Sequence, residues 1–421
     1  MPTPARKPAP YAEALLLATL IALALLARWA GWREKTSDMN IFFQWYNQLK
    51  AAGGWRGLGT EIGNYNAPFL YFLAVAIYLP GPLILKIKAI FVLFDVLLAV
   101  SAYQLVALRW PGRRIPVMAA LVTVLLPTVV LNASVLGQMD AMWAAPAVGG
   151  VYFLLRSRPW WGVALCGVAV AVKPQGIFIF PLLLLLALAG RLPWRTLLAA
   201  PAVFLALDLP AILLGRDPVE LLSIYSLERQ SRIIEELSYR APSVFIFVPA
   251  ADRVETVRLL GYVFAAALVV AVCYTLAVRA LEMTAERVLA AAALFSIMVP
   301  FLLPGMHERY FFLADVLTVA LAVWIPRLWY IPLLVQGASL LSYGAFLFGR
   351  SSVPMVVPAG MMLAALIVLG RHLLLAAFAS PVPVEEGTVE EGTVEEGTVE
   401  EERQPVQDAL EAELERPLRV G

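Results

Sequence analysis

The chain has 421 residues, of which 61% are apolar and only 15% are charged, and its mean hydropathy is +0.78. Soluble globular domains carry about a quarter of charged residues, so this composition excludes an ordinary soluble protein and indicates an integral membrane protein. The formal net charge is +1, and we expect no nucleic acid among the partners.

Long apolar runs follow one another along the chain. Runs such as "YAEALLLATLIALALLARWA" and "VLAAAALFSIMVPFLLP" match the roughly 17–25 apolar residues that cross a bilayer, and such a segment must be helical to satisfy its own backbone. The first run, about 11–30, ends in "ARWAGWREK" without a small-residue cleavage pattern, which predicts a retained signal anchor.

Short loops rich in Arg and Lys, such as "RWPGRR" at 109–114, are expected on the cytoplasmic side. This orientation predicts an all-α, polytopic transmembrane helix bundle of about twelve spans with both termini in the cytoplasm. The spans lie near 11–30, 83–108, 115–134, 139–155, 160–172, 175–189, 195–214, 257–280, 288–303, 310–325, 328–348 and 353–372. The stretch 160–189 is interrupted by "KPQ", so a re-entrant pair is the alternative there.

Two long loops are predicted on the outer face, at 31–82 and 215–256. The first should carry two interfacial helices, because residues 38–50 place apolar side chains at helical spacing and residues 67–82 are apolar, aromatic and short. Function is usually carried on such an elaborated face.

The predicted organisation has three parts: a cytoplasmic N-terminus at 1–10, a transmembrane module at 11–375 that carries the two outer loops, and an acidic cytoplasmic tail at 376–421. Residues 381–421 carry 13 acidic and 3 basic side chains and repeat "EEGTV". Such a segment has almost nothing to bury and is expected to be disordered.

Asp38, in "WREKTSDMNIFFQWYN", follows the first span directly. It could simply be the N-cap of the helix that begins there. Its position beside the slot where a lipid headgroup would lie favours a functional carboxylate instead.

Three further clusters combine charge with a span end. Gln138 and Asp140 begin one span in "GQMDAMW", and Lys173 lies in an apolar stretch where Pro174 breaks the helix. Capping by Asp140 and a structural ion pair of Lys173 are the plain alternatives.

The last cluster is "HERY", which places His307, Glu308 and Arg309 between two spans. A salt bridge between Glu308 and Arg309 is the plain reading, whereas a phosphate bound by Arg309 and His307 is the functional one. Elsewhere, Lys86 and Lys88 are expected to reach lipid headgroups, and Asp95 and Asp208 are candidate partners for buried basic side chains.

In this order, the motifs resemble those of membrane glycosyltransferases of the GT-C class, and most closely bacterial relatives of the polyprenyl-phosphate-sugar-dependent mannosyl- and glucosyltransferases. The matching segments are "SDMNIFFQWYNQL", "GNYNAPFLY", "LGQMD", "KPQ" and "HERY". The resemblance covers roughly residues 10–325. Leu136 stands where the family usually has Trp, and Ala67-Pro68 stands where it has two prolines.

The resemblance implies that Asp38 is the general base of an inverting transfer of a hexose, mannose- or glucose-like, from a polyprenyl-phosphate donor. His307, Arg309 and Lys173 would then bind the donor phosphate. The substrate pocket would be formed by Tyr65, Asn66, Gln138, Asp140, Gln175 and Glu308.

The expected partners are a lipid-linked sugar donor, an acceptor that is a glycan, a lipid or a protein, and the membrane itself. The protein is expected in the cytoplasmic membrane, multi-pass, with its active site facing outward. No metal or other cofactor is required by these motifs, although a divalent cation stays open. The alternatives are a transporter or lipid flippase, which also uses broken helices, and a non-catalytic scaffold.

Overall fold

The chain is described by a computed structural model over residues 10–226, 228–229, 235–248 and 253–379. These residues belong to one compact unit, Met1–Pro381. The molecule is 77% helical, which confirms the predicted all-α class. Residues 1–9 of the predicted N-terminus (1–10) and the acidic repeat lie outside the described residues, and the last helix continues to Ala379, into the predicted tail at 376–421.

The α-helices follow the predicted apolar segments closely. They are α1 (Pro10–Gly31), α2 (Ser37–Ala51), α3 (Ala67–Tyr78), α4 (Leu83–Ala107), α5 (Arg114–Leu125), α6 (Pro127–Val130), α7 (Asp140–Leu155), α8 (Pro159–Val172), α9 (Phe180–Leu188), α10 (Ala199–Leu213), α11 (Pro218–Ser223), α12 (Val254–Val278), α13 (Ala285–Leu302), α14 (Phe312–Trp324), α15 (Ile331–Leu347) and α16 (Val356–Ala379). A π-helical turn, Leu131–Leu136, continues α6, and short 3₁₀ turns at Pro174–Ile179, Trp194–Leu198 and Pro326–Leu328 precede α9, α10 and α15.

Six helices of the described chain are long and apolar enough to cross a membrane, and a seventh results if the bent pair Arg114–Leu125 and Pro127–Leu136 is one span. The bend of 49° falls at a proline, which lacks the amide that would continue the helix. Helices α3, α7, α8 and α14 are apolar but shorter. The number of crossings therefore remains a prediction.

The basic loops gather at one end of the bundle, which we call the basic end. The Trp110 indole donates to the Val323 carbonyl at 3.1 Å, Arg109 pairs with Glu286 at 3.3 Å, and Arg191 donates to the Met283 carbonyl at 3.0 Å. These contacts join the loops after α4, α9, α12 and α14. Helices α4, α9, α12 and α14 therefore end at the basic end, and α13 begins there.

The opposite end, which we call the cleft end, carries α2, α3 and the segment 235–248. There β1 (Ser238–Tyr239) pairs in parallel with β2 (Met306–His307), and the Gly305 amide donates to the Leu237 carbonyl at 2.8 Å. This pairing fixes the loop between α13 and α14 against the long second loop.

Helix α13 lies at the centre of the bundle, with 83% of its spanning window buried, against 17% for α1 and 28% for α16. Its run of four alanines, residues 290–293, is fully buried. Small side chains let neighbouring helices approach closely in a membrane, so α13 is the element around which the others pack.

Buried charges join several helices. Arg28 in α1 pairs with Asp95 in α4 at 2.9 Å, so Asp95 has the basic partner that the sequence suggested. Asp208 in α10 is buried without an ion pair to any described residue. Lys88 is only 3% exposed, so the expectation that it reaches lipid headgroups is wrong.

Candidate active site

A cleft of about 400 Å³ opens at the cleft end between α2, the loops before α3 and α7, the Pro174–Ile179 turn and the α13–α14 loop. Its volume falls in the usual range of small-molecule sites. The lining residues are Asp38, Ile41, Phe42, Trp45, Asn64, Tyr65, Gln138, Pro174, Gln175, Ile177, Phe178, Tyr225, Tyr239, Tyr262, Leu303, Gly305, Met306, His307, Arg309 and Tyr310.

Asp38 lies in the first turn of α2, but it is not the cap of that helix. The N-cap is Thr36, whose hydroxyl accepts the Met39 amide at 3.4 Å. The Asp38 carboxylate, 25% exposed, accepts a hydrogen bond from the Gln138 side-chain amide at 2.5 Å and lies 3.1 Å from the Arg309 guanidinium. The capping alternative is therefore excluded, and the carboxylate faces the cleft.

Arg309 is the centre of a cluster of acidic side chains. Its guanidinium lies 2.7 Å from Glu308, 3.1 Å from Asp38 and 3.8 Å from Asp140. Burial by itself lowers the pKa of Arg309, but the surrounding carboxylates, Glu308 first among them, outweigh it and hold that pKa well above its ordinary value. The predicted salt bridge between Glu308 and Arg309 is thus present, and the same guanidinium also lines the cleft.

Glu308 is fully buried and does not line the cleft. Burial alone raises the pKa of its carboxyl, whereas Arg309 and His307 lower it, and the net result is a pKa below the ordinary value. Glu308 is therefore an anion that orients Arg309 from behind.

His307 projects into the cleft from β2. Its ring stacks on Tyr239 with ring centroids 4.5 Å apart and an interplanar angle of 8°, and the Tyr310 ring lies at 5.2 Å. Its Nδ1 is 3.6 Å from the Glu308 carboxylate. The side chain is 32% exposed, so His307 can meet a ligand while its ring plane is held by Tyr239.

Asp140 and Lys173 form a buried pair behind the cleft, at 2.5 Å. Asp140 also accepts hydrogen bonds from the Asn132 side-chain amide at 2.7 Å and the Trp143 indole at 3.0 Å. Neither member of the pair lines the cleft. The structure therefore departs from the sequence analysis, which gave Lys173 a direct contact with phosphate and Asp140 a place in the pocket.

The position of Lys173 follows from the break in the helix. At Lys173 the backbone is extended, with φ −154° and ψ 139°, so α8 ends there and the chain turns before Pro174. The ammonium lies 5.8 Å from the Tyr65 ring centroid and 5.7 Å from that of Tyr310. Both rings lie on the cleft wall, so Lys173 supports the wall electrostatically from within.

Of the other predicted pocket residues, Tyr65, Gln138 and Gln175 line the cleft. The side-chain oxygens of Gln138 and Gln175 are buried without a hydrogen-bond donor among the described residues. Asn66 differs, because it is buried, caps α3 through the Ala67 amide at 2.9 Å, and does not line the cleft.

Several cleft residues were not singled out in the sequence. Trp45 is part of the apolar face of α2, and Tyr225, Tyr239 and Tyr262 come from the second outer loop and the start of α12. Tyr225 also links two walls of the cleft. Its hydroxyl accepts a hydrogen bond from the Asn66 backbone amide at 3.1 Å and donates one to the Val172 carbonyl at 3.2 Å. Aromatic side chains in an otherwise polar outer loop are the signal that could have indicated them.

An apolar groove of about 480 Å³ adjoins the cleft. It runs between α9, α10, α12 and α13, and shares Ile177, Tyr262 and Leu303 with the cleft. Its other walls are apolar, with Ala265, Ala266 and Val269 among them. The polar cleft therefore borders an apolar groove that lies along the predicted membrane spans.

Within the described residues, no group of three or more His, Cys, Asp or Glu side chains is arranged to hold a metal ion. The three acidic side chains near Arg309 are instead engaged by Arg309, Lys173, Gln138 and His307.

A helical membrane bundle with this one-ended polar site is the architecture of a membrane glycosyltransferase of the GT-C type. The family model of glycosyltransferase family 87 matches residues 64–304, which is more than half of the chain, and the chain belongs to that family. The matched region contains the "NYNAP", "LGQMD" and "KPQ" segments, whereas Asp38 lies before it and His307 directly after it. Neither the curated proteins nor the solved structures contain a match to this chain.

Proposed function

We propose that this glycosyltransferase moves a hexose from a polyprenyl-phosphate carrier to an acceptor hydroxyl, with inversion at the sugar carbon, in the cleft that contains Asp38 and Arg309. The observation that carries the proposal is that one partly exposed carboxylate and one buried guanidinium meet in a cleft that adjoins an apolar groove.

The groove supports a lipid-linked donor. A polyprenyl chain is apolar and membrane-embedded, so a groove lined by Ala265, Ala266 and Val269 can hold it without bringing it against polar groups. Its phosphate would then enter the cleft near Leu303, which lines both cavities, and His307 and Arg309 line the same cleft. A guanidinium presents paired donors that fit phosphate oxygens.

In the transfer, the Asp38 carboxylate takes the proton of the acceptor hydroxyl. The acceptor oxygen attacks C1 of the sugar from the face opposite the phosphate, the new C1–oxygen bond forms, and the bond between C1 and the phosphate oxygen breaks. Polyprenyl phosphate leaves with that electron pair, so no general acid is required, unlike the hydrolysis of a glycosidic bond. The developing charge is met by Arg309 and His307.

Arg309 must exchange partners during this cycle. In the structure its guanidinium holds Asp38, which weakens the carboxylate as a base. A donor phosphate would compete for the same guanidinium and leave Asp38 bonded to Gln138 alone. Lys173 would contribute by fixing Asp140 beneath Arg309, at 3.8 Å.

The polarity of the bundle supports a site on the outer side of the cytoplasmic membrane. The loops joined by Arg109 and Arg191 lie together at the basic end, and such loops stay in the cytoplasm. The cleft lies at the other end, so the acceptor, whether a glycan, a lipid or a protein, would be met outside.

The test uses purified protein in nanodiscs with undecaprenyl-phosphate mannose and undecaprenyl-phosphate glucose as donors and a membrane extract as the source of acceptors. Consumption of one donor is expected. Asp38→Asn should reduce consumption to background, whereas Glu61→Gln, an exposed acid of the same outer loop, should leave it unchanged. Full activity of Asp38→Asn would remove the proposed base.

The donor site is tested by affinity for the consumed donor. Arg309→Ala should weaken binding at least tenfold, because a charge-assisted contact contributes about 1.5–3 kcal/mol. Arg56→Ala is the matched control, since Arg56 is exposed and lies outside the cleft. Movement of a solute across vesicles with both donors left intact would instead support the transporter alternative.

A further inference from the structure

A buried lysine lies between the first span and the cleft end of the bundle. Lys88, one turn and a half into α4, is 3% exposed. Its ammonium donates to three backbone carbonyls, those of Glu34 at 2.7 Å, Gly31 at 2.9 Å and Ser134 at 2.6 Å. An ammonium has three N–H donors, so all of them are used, and no described carboxylate forms an ion pair with it.

The three carbonyls belong to the two segments that carry the proposed base and its hydrogen-bond donor. Gly31 ends α1, Glu34 lies on the connection from α1 to α2, and Asp38 follows Glu34 by four residues. Ser134 lies in the π-helical turn, and Gln138 follows it by four residues. We call residues 31–38 the Asp38 arm and residues 134–138 the Gln138 arm. Gln138 donates to Asp38 at the cleft, and Lys88 joins the opposite ends of the two arms.

The packing around this junction is close. A Cβ placed on Gly31 would lie 2.7 Å from the Val135 side chain and 3.0 Å from the Ser134 carbonyl oxygen. The Thr36 hydroxyl donates to the Leu136 carbonyl at 2.7 Å, which adds a second tie between the same segments. A Cβ on Gly137, whose φ is +63°, would collide with Met39.

A buried ammonium is costly, because it loses its hydration. A methionine at position 88 would fill similar space without that cost, but it could not donate to three carbonyls. The charge therefore serves to hold the Asp38 and Gln138 arms against α4, rather than to add packing.

We propose that Lys88 is a positioning residue of the transferase: its ammonium fixes the Asp38 and Gln138 arms relative to each other, and so sets where the base meets the acceptor hydroxyl. The inference rests on the proposed role of Asp38. Arg309 and His307 come from the α13–α14 loop, which makes none of the three Lys88 contacts, so donor binding should not depend on Lys88.

The experiment compares Lys88→Met, Lys88→Arg and Arg28→Met with the parent protein in nanodiscs, with undecaprenyl-phosphate mannose and undecaprenyl-phosphate glucose as donors. Arg28→Met is the matched control, because it also removes a buried cation that joins α1 to α4. Arg28 pairs with Asp95 and, in the described chain, makes no hydrogen bond to the connection that carries Asp38. Three quantities are measured for each variant: kcat per folded molecule, KM for the donor, and unfolding temperature.

Lys88→Met should lower kcat about 100-fold, as expected when a reacting group is displaced by about 1 Å, with KM for the donor within about twofold. Lys88→Arg should recover at least a tenth of the parent kcat, because it restores the charge. Arg28→Met should lower the unfolding temperature but keep kcat within about threefold. A purely structural role of Lys88 would lower the unfolding temperature without this difference between kcat and KM.

A kcat of Lys88→Met within threefold of the parent, or an equal loss in Arg28→Met, would overturn the proposal. If Lys88→Met does not fold, Gly31→Ala disturbs the same junction without removing a charge, and it should lower kcat at unchanged KM; full kcat in Gly31→Ala would overturn the proposal as well. An inactive parent protein, or an active Asp38→Asn, would instead contradict the proposed function.

Discussion

The buried pair of Lys173 and Asp140 gives the sharpest test of how the charges behind the cleft act. If Lys173 holds Asp140 rather than the donor, removing its charge should destabilise the protein, because Asp140 then loses its nearest counterion in a site 1% exposed and keeps only Arg309, at 3.8 Å. Breaking one partner of such a pair costs about 3–5 kcal/mol. Asn132 and Trp143 still bond Asp140, which favours the lower end of that range.

The perturbation is Lys173→Met, followed by Asp140→Asn and by the double variant. At no more than about 2 °C per kcal/mol for a chain of this size, the lower end of that cost, about 3 kcal/mol, corresponds to a fall of at most about 6 °C in the unfolding temperature of each single variant. The double variant should lose less than the sum of the two, by about 2–3 kcal/mol, since the two side chains are in contact. Lys50→Met, at an exposed lysine of α2, should change nothing.

The assay is thermal unfolding in detergent, with donor affinity measured on the same samples. A direct phosphate contact by Lys173 predicts the opposite pattern, which is weaker donor binding at an unchanged unfolding temperature. That result, or strictly additive losses in the double variant, would refute the assignment of Lys173 as the counterion of Asp140.

Three further predictions concern the rest of the site. The pKa of Glu308 is below its ordinary value of 4.5, so the contribution of its charge to stability is complete above pH 4.5 and is lost as the pH falls through the lowered pKa. The difference in unfolding temperature between Glu308→Gln and the parent should therefore be constant from pH 7 to 5 and shrink in more acid buffer. A difference that grows on acidification would contradict this prediction. Ala266→Trp should raise KM for an undecaprenyl donor at least tenfold by filling the apolar groove, while leaving KM for a short citronellyl-phosphate donor unchanged. An equal change in KM for both donors would show that the groove does not bind the lipid chain. Tyr239→Leu removes the ring that stacks on His307, and should weaken donor binding about three- to tenfold, as expected for an aromatic pair of about 0.5–1.5 kcal/mol, whereas unchanged affinity would show that His307 needs no such support.

The helices and the neighbourhood of the site were accessible from the sequence, because both depend on local pattern. Apolar runs must form helices in a membrane, and the observed helix bounds agree with the predicted spans to within a few residues for most of the bundle. Orientation by basic loops implied that Asp38, Gln138, Gln175 and His307 lie at one end, and all four line one cleft.

The partners of the charged groups were not accessible in this way. "TSDMN" offers three capping side chains in a row, and only the geometry shows that Thr36 caps the helix while Asp38 is left for the cleft. Likewise, the capping role of Asn66 could not be distinguished from a pocket contact, because both place a polar residue before an apolar helix.

The sequence by itself determined which segments are helical and which polar residues share an end of the bundle, since hydropathy and loop charge act over neighbouring residues. Only the tertiary structure decided which charges meet: Lys173 with Asp140, 33 residues away, and Lys88 with carbonyls 46 to 57 residues away. A buried charge takes the partner that helix packing places within about 3 Å, and that packing depends on the whole chain.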